Sequence, residues 1–335
     1  MMIKYPKISV VTITYGHQDY IIDTLKGVFM QQYKGEIEFI IANDNSPDDT
    51  HRVVTKFLNN STIPSNVHIK YTKHDKNFGM MPNFIWAMQQ VKGKYIAICE
   101  GDDYWIDPLK LQKQVDFLEV NEEYGLVHTQ LEYKFGNSKE SIVSKTARRK
   151  NKFEDLIKHN SIATLTTCIR KKLVVNYFEQ VDPINKNWIA GDLPMWLWIS
   201  LHSKIYFLNE VTSMYRVVAG SASNTKTSEK YVEFITSRRS IKEFFINKYQ
   251  PNEDLLRFVA EDFYKDAEYH VLKLRVKIVI NEIGNYFYSK KKKIVLAYFF
   301  VMMDKIVSYP FFYQFWFNVY RVYYRFIKKH SKYEF

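Results

Sequence analysis

Short apolar runs alternate with longer amphipathic segments over the first third of the chain. Four of these runs predict buried strands, at residues 8–14, 36–42, 67–72 and 95–99. Segments with helical spacing fill the intervals, at residues 17–32, from Asp48 or Asp49 onward, and at 81–91. Asp107-Pro108 then predicts a helix to about Glu119, because an N-cap carboxylate followed by proline is typical of a helix start. This order predicts an α/β fold with a mostly parallel central sheet and flanking helices.

The pattern changes after the fourth predicted strand. Further strands are expected at residues 126–133, 163–170 and 204–215, with a helix at 193–200. The polar, basic segment 136–152 is typical of a mobile loop. From about residue 228 the spacing becomes helical, first over 231–248 and then over 253–280. We therefore expect an α/β domain over residues 1–225 and a helical region over residues 226–335.

Composition is ordinary for a soluble globular protein, with 46% hydrophobic and 25% charged residues in a chain of 335. A chain of this length can bury a large core. The two cysteines, Cys99 and Cys168, both lie within apolar runs, so we expect no disulfide framework and a reducing compartment. The residues before the first predicted strand contain no apolar stretch typical of a secretory signal. We therefore expect a cytoplasmic protein.

Most of the formal net charge of +12 falls near the carboxyl end. From residue 273 onward thirteen Lys and Arg residues oppose three acids, leaving +10 there. Apolar and aromatic residues recur at helical spacing at positions 311, 315, 319, 322 and 326, with cations on other faces. This pattern predicts a helix in a membrane interface, and hence peripheral membrane contact through residues 286–335. A helical subdomain with solvated lysines is the alternative; nucleic-acid binding is not expected, because the aromatic stripe does not resemble a stacking platform.

An acidic turn, Glu100-Gly101-Asp102-Asp103, follows the fourth predicted strand and precedes Tyr104-Trp105. Three carboxylates gathered at the carboxyl end of a strand are unfavourable unless a cation balances them. In open α/β sheets this edge is also where ligands bind. Oxygen ligands of this kind suit Mg²⁺ or Mn²⁺, particularly with phosphates completing the shell. A solvated acidic turn is the plain structural alternative.

Three other positions carry candidate chemistry. Tyr15, just past the first predicted strand, can stack on a nucleobase or merely pack. Asp44, after the second, can accept a hydrogen bond from a base N–H or form a simple Asx-turn. Asp192, in Gly191-Asp192-Leu193-Pro194, can be a helix N-cap or a general base for an attacking hydroxyl.

Together these motifs resemble family 2 glycosyltransferases of the GT-A fold, a Rossmann-like architecture. The resemblance spans roughly residues 8–223, and two of its motifs, at residues 191–194 and 215–216, match bacterial members that make cell-surface polysaccharides. The matching segments are Thr14-Tyr15, Asn43-Asp44-Asn45-Ser46, Asn77-Phe78-Gly79 with Asn83, Glu100-Gly101-Asp102-Asp103-Tyr104-Trp105, Gly191-Asp192-Leu193-Pro194 and Tyr215-Arg216.

The resemblance implies a role for each matching residue. Asp192 corresponds to the catalytic base, and Asp102, with Asp103 beside it, to the acids that bind Mn²⁺ or Mg²⁺. The residues implied in donor binding are Thr14, Tyr15, Asp44, Asn83, Glu100, Asp102 and Arg216. Two departures stand out. Glu100 occupies a position where aspartate is commoner, so we expect its contact with ribose or metal to be longer or water-mediated. Val218 occupies a position where many relatives carry histidine.

The implied activity is that of an inverting, metal-dependent glycosyltransferase. It would move a sugar from a nucleotide-sugar donor, with UDP the expected nucleotide, to a hydroxyl of a glycan or lipid-linked glycan at the cytoplasmic face of the membrane. A sugar nucleotidyltransferase is one alternative, although no glycine-rich, basic phosphate loop follows the first strand. A non-catalytic nucleotide- or glycan-binding subunit of the same fold is another. The intact acids Asp44, Asp102, Asp103 and Asp192 argue against it.

Overall fold

The computed structural model describes residues 5–135, 140–144, 151–217 and 228–266. Within these residues one sheet contains nine strands: β1 Ile8–Thr14, β2 Ile37–Asn43, β3 Val67–Lys73, β4 Tyr95–Ile98, β5 Tyr104–Trp105, β6 Tyr124–Phe135, β7 Ser141–Val143, β8 Cys168–Arg170 and β9 Lys204–Val217. The helices are α1 Ile21–Phe29, α2 Thr50–Asn60, α3 Met80–Gln89, α4 Lys110–Val120, α5 Phe153–Lys158, α6 Lys171–Val181, α7 Asp192–His202 and α8 Ser228–Tyr249.

The chain is divided into two compact units. The first contains Met1–Lys226 and Thr236–Ala260, and the second contains Thr227–Ile235 and Glu261–Phe335. The sheet and helices α1–α7 belong to the first unit. Residues 253–266 are helical as predicted; the rest of the predicted helix to residue 280 and the basic, aromatic segment 286–335 lie outside the described residues. Within the described ranges no helix has the length and apolarity to cross a bilayer.

The strand order of the sheet reverses at β1: β2 and β3 follow on one side of β1, and β4 lies on its other side. The order is β3-β2-β1-β4-β8-β6-β9-β5, and β7 pairs with β6. The first four strands are parallel, with Ile8 opposite both Ile37 and Tyr95. β8 then pairs antiparallel with both β4 and β6, whereas β6 and β9 run parallel. In such sheets ligands bind at the carboxyl ends of the strands where the order reverses, here β1 and β4.

The apolar runs that predicted the parallel strands are buried in the sheet. β2 and β4 are buried at every position and β1 at all but one. Parallel strands covered by helices on both faces favour such continuous apolar runs. The predicted α/β class with a central sheet and flanking helices is confirmed, and the antiparallel pairs of β5, β7 and β8 complete the sheet.

Three local predictions are corrected. The strand expected at 163–170 is only Cys168–Arg170, preceded by a 3-10 turn at Thr164–Thr166. The hydroxyls of Thr166 and Thr167 donate to the carbonyls of Ala163 and Thr164, over 2.6 and 2.8 Å, and close this turn instead of extending a strand.

The other two corrections concern residues 107 and 141–143. The helix expected from Asp107 begins at Lys110, because the Asp107 carboxylate accepts the Leu109 N–H over 2.9 Å and forms a separate turn. Part of the segment expected to be a loop is strand β7, which pairs with β6 through Glu132 opposite Val143. Residues 136–139 and 145–150 lie outside the described residues.

Candidate active site

The acidic turn lies directly against the carboxyl end of β1. Gly101 N–H donates to the Ile13 carbonyl over 3.0 Å, which continues the β1–β4 pairing into the turn. A Cβ atom at Gly101 would lie 2.6 Å from Thr14 Oγ1 and 2.8 Å from His17 Nδ1. A side chain at residue 101 would prevent this approach, so glycine is required there. The approach brings Thr14 and His17 next to the carboxylates of the acidic turn.

Glu100 is the first acid of the turn. Its Oε2 is buried and has no hydrogen-bond partner among the described residues. Burial, together with the nearby carboxylates of Asp102 and Asp192, raises the pKa of Glu100 to about 8. Asp192 is therefore near enough to Glu100 to affect its pKa, although the two acids are far apart in the sequence.

The two aspartates of the turn have different surroundings. Asp103 is buried, and its Oδ1 accepts the Arg216 N–H over 2.8 Å. Burial and the charges of Asp102 and Glu100 raise the pKa of Asp103. Asp102 is only partly buried, so it is the more accessible of the two predicted metal ligands.

The donor set of the turn fits a cation that is shared with phosphate oxygens. In the part of the chain that the structure describes, no three His, Cys, Asp or Glu side chains form a group that could hold a metal ion. An orphaned oxygen of Glu100 beside the accessible Asp102 is nevertheless a pair that Mg²⁺ or Mn²⁺ can use when phosphates supply further ligands. A cation would also favour the ionised form of Glu100, which burial disfavours.

Asp44 links the end of β2 to the start of α3. It is 2% exposed, and its Oδ1 and Oδ2 accept the N–H groups of Phe78 and Gly79 over 2.8 and 2.9 Å. Its own N–H donates to the Thr14 carbonyl over 3.0 Å, which ties it to the end of β1. A carboxylate oxygen can accept more than one hydrogen bond, so Asp44 retains acceptor capacity for a base N–H.

The turn that presents Tyr15 is fixed from the end of β2. Asn43 Oδ1 accepts the Ser46 N–H and hydroxyl over 2.9 and 2.8 Å, as in an Asx-turn. Ser46 Oγ in turn accepts the Gly16 N–H over 3.1 Å. Tyr15 is left 46% exposed beside this turn, which suits a ring that stacks on a ligand.

Asp192 is the first residue of α7, and the N-cap position belongs to Gly191. Asn160 Nδ2 donates to Asp192 Oδ2 over 2.9 Å. Burial raises the pKa of Asp192, although this hydrogen bond and one from the Leu193 backbone oppose the shift. A raised carboxyl pKa moves the group towards the range in which a general base works best.

The start of α3 connects the surroundings of Asp44 and Asp192. A Cβ atom at Gly191 would lie 2.5 Å from Met81 Sδ, so the residue before Asp192 packs on α3. Asp44 holds the N–H of Gly79, which is the N-cap residue of α3. Contacts therefore run continuously from Asp44 through α3 to Asp192, and from Asp44 through Thr14 to the acidic turn.

Two predicted donor-binding residues have other partners in the structure. Asn83 is 2% exposed; its Nδ2 donates to the Ala42 carbonyl over 3.1 Å and its Oδ1 lies 3.0 Å from His74 Nε2. Arg216 Nη1 donates to the Asp102 carbonyl over 2.9 Å. Direct donor contacts of Asn83 and Arg216 stay predictions, and Val218 lies outside the described residues.

Comparison with known families gives a match over the first half of the chain. The model of glycosyl transferase family 2 matches residues 9–174, which include β1–β4 and the acidic turn. The chain belongs to glycosyl transferase family 2. This is the family that the motifs at the strand ends predict.

Several relatives of this family 2 member come from bacteria. It is 29% identical to an uncharacterized protein of Mycobacterium tuberculosis over 62% of this chain and 58% of that protein. The chain thus spans little more than half the length of this relative. It is 28% identical to the Bacillus subtilis protein named putative teichuronic acid biosynthesis glycosyltransferase TuaG, over 66% of this chain and 83% of that one. WfaP of Escherichia coli, named UDP-Glc:alpha-D-GlcNAc-diphosphoundecaprenol beta-1,3-glucosyltransferase, is 27% identical over 66% and 82%.

Solved structures share the fold. TarS 1-349 of S. aureus in complex with UDP-GlcNAc has a TM-score of 0.52 and 18% identity, covering 80% of this chain and 85% of that one. The mannosyltransferase PcManGT of Pyrobaculum calidifontis, in complex with GDP-Man and Mn2+, has a TM-score of 0.51 and 13% identity, covering 87% and 84%. At such identities the likeness concerns the fold alone, and it confirms the GT-A prediction.

Several residues at the candidate site were not predicted from the sequence. His17 lies against Gly101, and burial lowers its pKa although Asp102 and Asp48 act in the opposite direction. Asn160 bonds to Asp192 and Asp23 pairs with Arg216. Nothing in the spacing of these residues marks them, because each meets its partner only through the folded chain.

Proposed function

We propose that this glycosyltransferase moves a sugar from a UDP-sugar donor to a hydroxyl of a glycan or lipid-linked glycan, with inversion at the anomeric carbon, in the synthesis of a cell-surface polysaccharide. The observation that carries the proposal is the chain of contacts that connects the acidic turn, through Thr14, Asp44 and the start of α3, to the residue before Asp192. The charge of Asp192 also raises the pKa of Glu100. We infer that the acids of the turn and the separate base at Asp192 act on one sugar.

The donor nucleotide would lie at the ends of β1 and β2. Tyr15 would stack on the base, Thr14 would line the strand end, and Asp44 would accept the base N–H with its remaining lone pairs. The exposed ring of Tyr15 and the position of Asp44 beside Thr14 support this arrangement. WfaP is named for UDP-Glc, and TarS was solved with UDP-GlcNAc, which supports UDP as the nucleotide.

Asp102, with Glu100 and Asp103 beside it, would hold Mn²⁺ or Mg²⁺, which when bound supplies charge neutralisation for the departing diphosphate. The orphaned oxygen of Glu100 and the accessibility of Asp102 support these two as ligands. Asp103 remains a predicted ligand, although its Oδ1 already accepts the Arg216 N–H.

Asp192 would act as the general base. The acceptor oxygen forms a bond to the anomeric carbon while the bond from that carbon to the diphosphate oxygen breaks. The hydroxyl proton passes to Asp192, and the nucleoside diphosphate leaves from the opposite face of the sugar, which inverts the anomeric centre. General-base assistance of this kind typically contributes about 10²–10⁴-fold in rate.

The basic, aromatic segment 286–335 would bring the enzyme to a lipid-linked acceptor at the cytoplasmic face of the membrane. The concentration of positive charge in this part of the sequence supports the proposal. Replacing Lys290, Lys291, Lys292 and Lys293 by glutamine in the full chain should weaken binding to vesicles that contain anionic phospholipid. Unchanged vesicle binding would argue that these lysines are simply solvated.

Product analysis tests the whole proposal. The protein is incubated with UDP-, GDP- and dTDP-sugars, with and without Mn²⁺, while melting temperature and released nucleotide are measured. Metal-dependent release of free UDP, increased by a glycan acceptor, is expected, and NMR of the product gives its anomeric configuration. Pyrophosphate release would indicate a nucleotidyltransferase instead, and binding without any turnover would indicate a non-catalytic subunit.

A further inference from the structure

Arg216, near the end of β9, has an enclosed guanidinium group. The residue is 7% exposed, and its guanidinium carbon lies 4.3 Å from the ring centroid of Tyr104 and 5.3 Å from that of Tyr20. Nη1 donates to the Asp102 carbonyl over 2.9 Å, and Nη2 donates to the Asp23 carboxylate. Both terminal nitrogens of the group are thus hydrogen-bonded, and two aromatic rings lie near it.

The acidic turn is also held through its own backbone and through Asp103. The backbone N–H of Arg216 donates to Asp103 Oδ1 over 2.8 Å, and the Thr24 hydroxyl donates to the Asp103 carbonyl over 2.6 Å. Asp23 and Thr24 are neighbours in the first turn of α1. One helix therefore fixes the turn twice, directly through Thr24 and indirectly through Arg216.

A direct contact of Arg216 with the donor diphosphate would disturb this arrangement. Two of the five N–H donors of the guanidinium are used by the Asp102 carbonyl and by Asp23, and the residue is only 7% exposed, so the side chain would have to move to present its remaining donors fully to a ligand. Both acceptors would then lose a hydrogen bond made to a charged donor, which is among the stronger kinds in proteins. The geometry favours a structural task for Arg216 over a ligand-binding one.

We propose that Asp23 is a positioning residue of the donor site: by anchoring Arg216 it fixes the backbone of Asp102 and Asp103, and with it the carboxylates that would bind the divalent cation. The inference rests on the proposed function, because it assumes that the acidic turn binds a cation. In this role Asp23 needs no contact with the cation or the donor. The planar guanidinium holds two acceptors at a fixed angle, which a lysine ammonium cannot do.

Four variants of the full-length protein test the role of Asp23. Asp23→Asn removes the charge that anchors Arg216, whereas Asp23→Glu keeps it. Arg216→Lys keeps the positive charge but not the two-pronged geometry. Asp19→Asn is the matched control, because Asp19 is an exposed acid four residues earlier whose loss changes the overall charge by the same amount.

Two affinities are measured for each variant: that for Mn²⁺ without nucleotide, by titration followed with electron paramagnetic resonance, and that for UDP without metal, by calorimetry. We expect Asp23→Asn and Arg216→Lys each to weaken Mn²⁺ binding about fivefold, as loss of one partly exposed, charge-assisted hydrogen bond predicts. Asp23→Glu should retain most of the Mn²⁺ affinity. Asp19→Asn should bind Mn²⁺ like the unmodified protein, and UDP affinity without metal should be unchanged in all four.

Other outcomes overturn the proposal. If Asp23→Asn binds Mn²⁺ as the unmodified protein does, Asp23 has no positioning role. If Asp23→Asn instead binds UDP more tightly without metal and Arg216→Lys binds it less tightly, Arg216 contacts the diphosphate directly. Should Asp23→Asn fail to fold, Arg216→Lys and Asp23→Glu still decide, since equal Mn²⁺ affinities in these two would contradict the model. An unmodified protein that binds no cation would overturn the metal site itself, a failure distinct from equal affinities across the variants.

Discussion

Asn160 donates a hydrogen bond from Nδ2 to Oδ2 of Asp192 over 2.9 Å. The bond connects the segment before the 3-10 turn at Thr164–Thr166 to the first residue of α7. It stabilises the ionised carboxylate and so opposes the effect of burial, which raises the pKa of Asp192. The amide therefore both orients the proposed base and keeps its pKa from rising further.

Asn160→Ala should shift the pH dependence of turnover. Without the amide hydrogen bond the pKa of Asp192 rises further, so more of the base is protonated at a given pH. The acid limb of the kcat profile should move to higher pH, with the donor KM little changed. The measurement is kcat between pH 5 and pH 9, and Asn60→Ala, on the exposed end of α2, is the control. An identical acid limb in Asn160→Ala would remove the amide from the mechanism.

Asp192→Asn should abolish most turnover while leaving donor binding intact. An amide cannot take the acceptor proton, so kcat should fall about 10²–10⁴-fold. The UDP affinity, measured by calorimetry, should stay within about twofold, since Asp192 is not among the proposed nucleotide contacts. Asp182→Asn, at an exposed acid nearby in the sequence, should keep normal turnover. Near-normal kcat in Asp192→Asn would assign the base to another residue.

Asp44→Asn should weaken both nucleotide binding and the fold. One of the two N–H groups that Asp44 accepts, from Phe78 or Gly79, would face an amide NH₂ instead of an oxygen. Leaving such a buried donor unpaired costs about 1–3 kcal/mol, so the melting temperature should fall, and UDP affinity should fall about tenfold or more.

A comparison of two nucleotides separates the two roles of Asp44. If the carboxylate contacts the base, Asp44→Asn should change the ratio of UDP to CDP affinity. If it only holds the start of α3, both affinities should fall equally. Asp49→Asn, which breaks an exposed pair with Arg52, should leave melting temperature and affinity unchanged.

Lys110→Met should stabilise the protein at neutral pH. Lys110 is fully buried, with Nζ 2.8 Å from Gln114 Oε1 and 4.4 Å from the ring centroid of Trp105, and burial lowers its pKa from 10.5 to about 8. Because the folded state holds this proton less tightly than the unfolded state, stability rises with pH between about 8 and 10.5 and is lowest below that window.

The expected gain from Lys110→Met at pH 7 is on the order of 1–2 kcal/mol in the free energy of unfolding, after allowing for the lost contacts with Gln114 and Trp105. It should shrink as the pH rises from 8 towards 10. Urea unfolding at several pH values measures it, with the exposed Lys56→Met as control. A destabilised Lys110→Met protein at pH 7 would mean that the ammonium contacts outweigh the desolvation of the charge.

Elements that depend on burial alone could be predicted from the sequence. β1 matches its predicted bounds, β2 ends one residue later and β4 one residue earlier than predicted, because strands covered on both faces need uninterrupted apolar runs. β5 could not be found in this way: Tyr104-Trp105 is a strand only because it pairs with Met214 and Ser213. The 3-10 turn before β8 likewise depends on threonine hydroxyls that bond locally instead of joining the sheet.

For the site, the sequence predicted which acids to consider but not their partners. Asp44, Asp102 and Asp192 were chosen from motifs, and contacts through Thr14, Glu100 and α3 link their positions in the structure. The hydrogen bond between Asp103 and Arg216 could not be predicted from the sequence, because it joins β9 to a turn more than a hundred residues earlier. Whether each acid performs its predicted role stays a prediction that the variants above test.

Gly27 ties α1 to the strand that follows the acidic turn: a Cβ atom at this position would lie 2.9 Å from the Trp105 backbone nitrogen. Together with Thr24, this close packing makes the helix and the turn a single structural module. Anyone exchanging sugar-donor preference between related enzymes by segment swapping should therefore transplant residues 21–29 together with 100–105. A chimera that imports only the acidic stretch would have to fit it against a foreign helix.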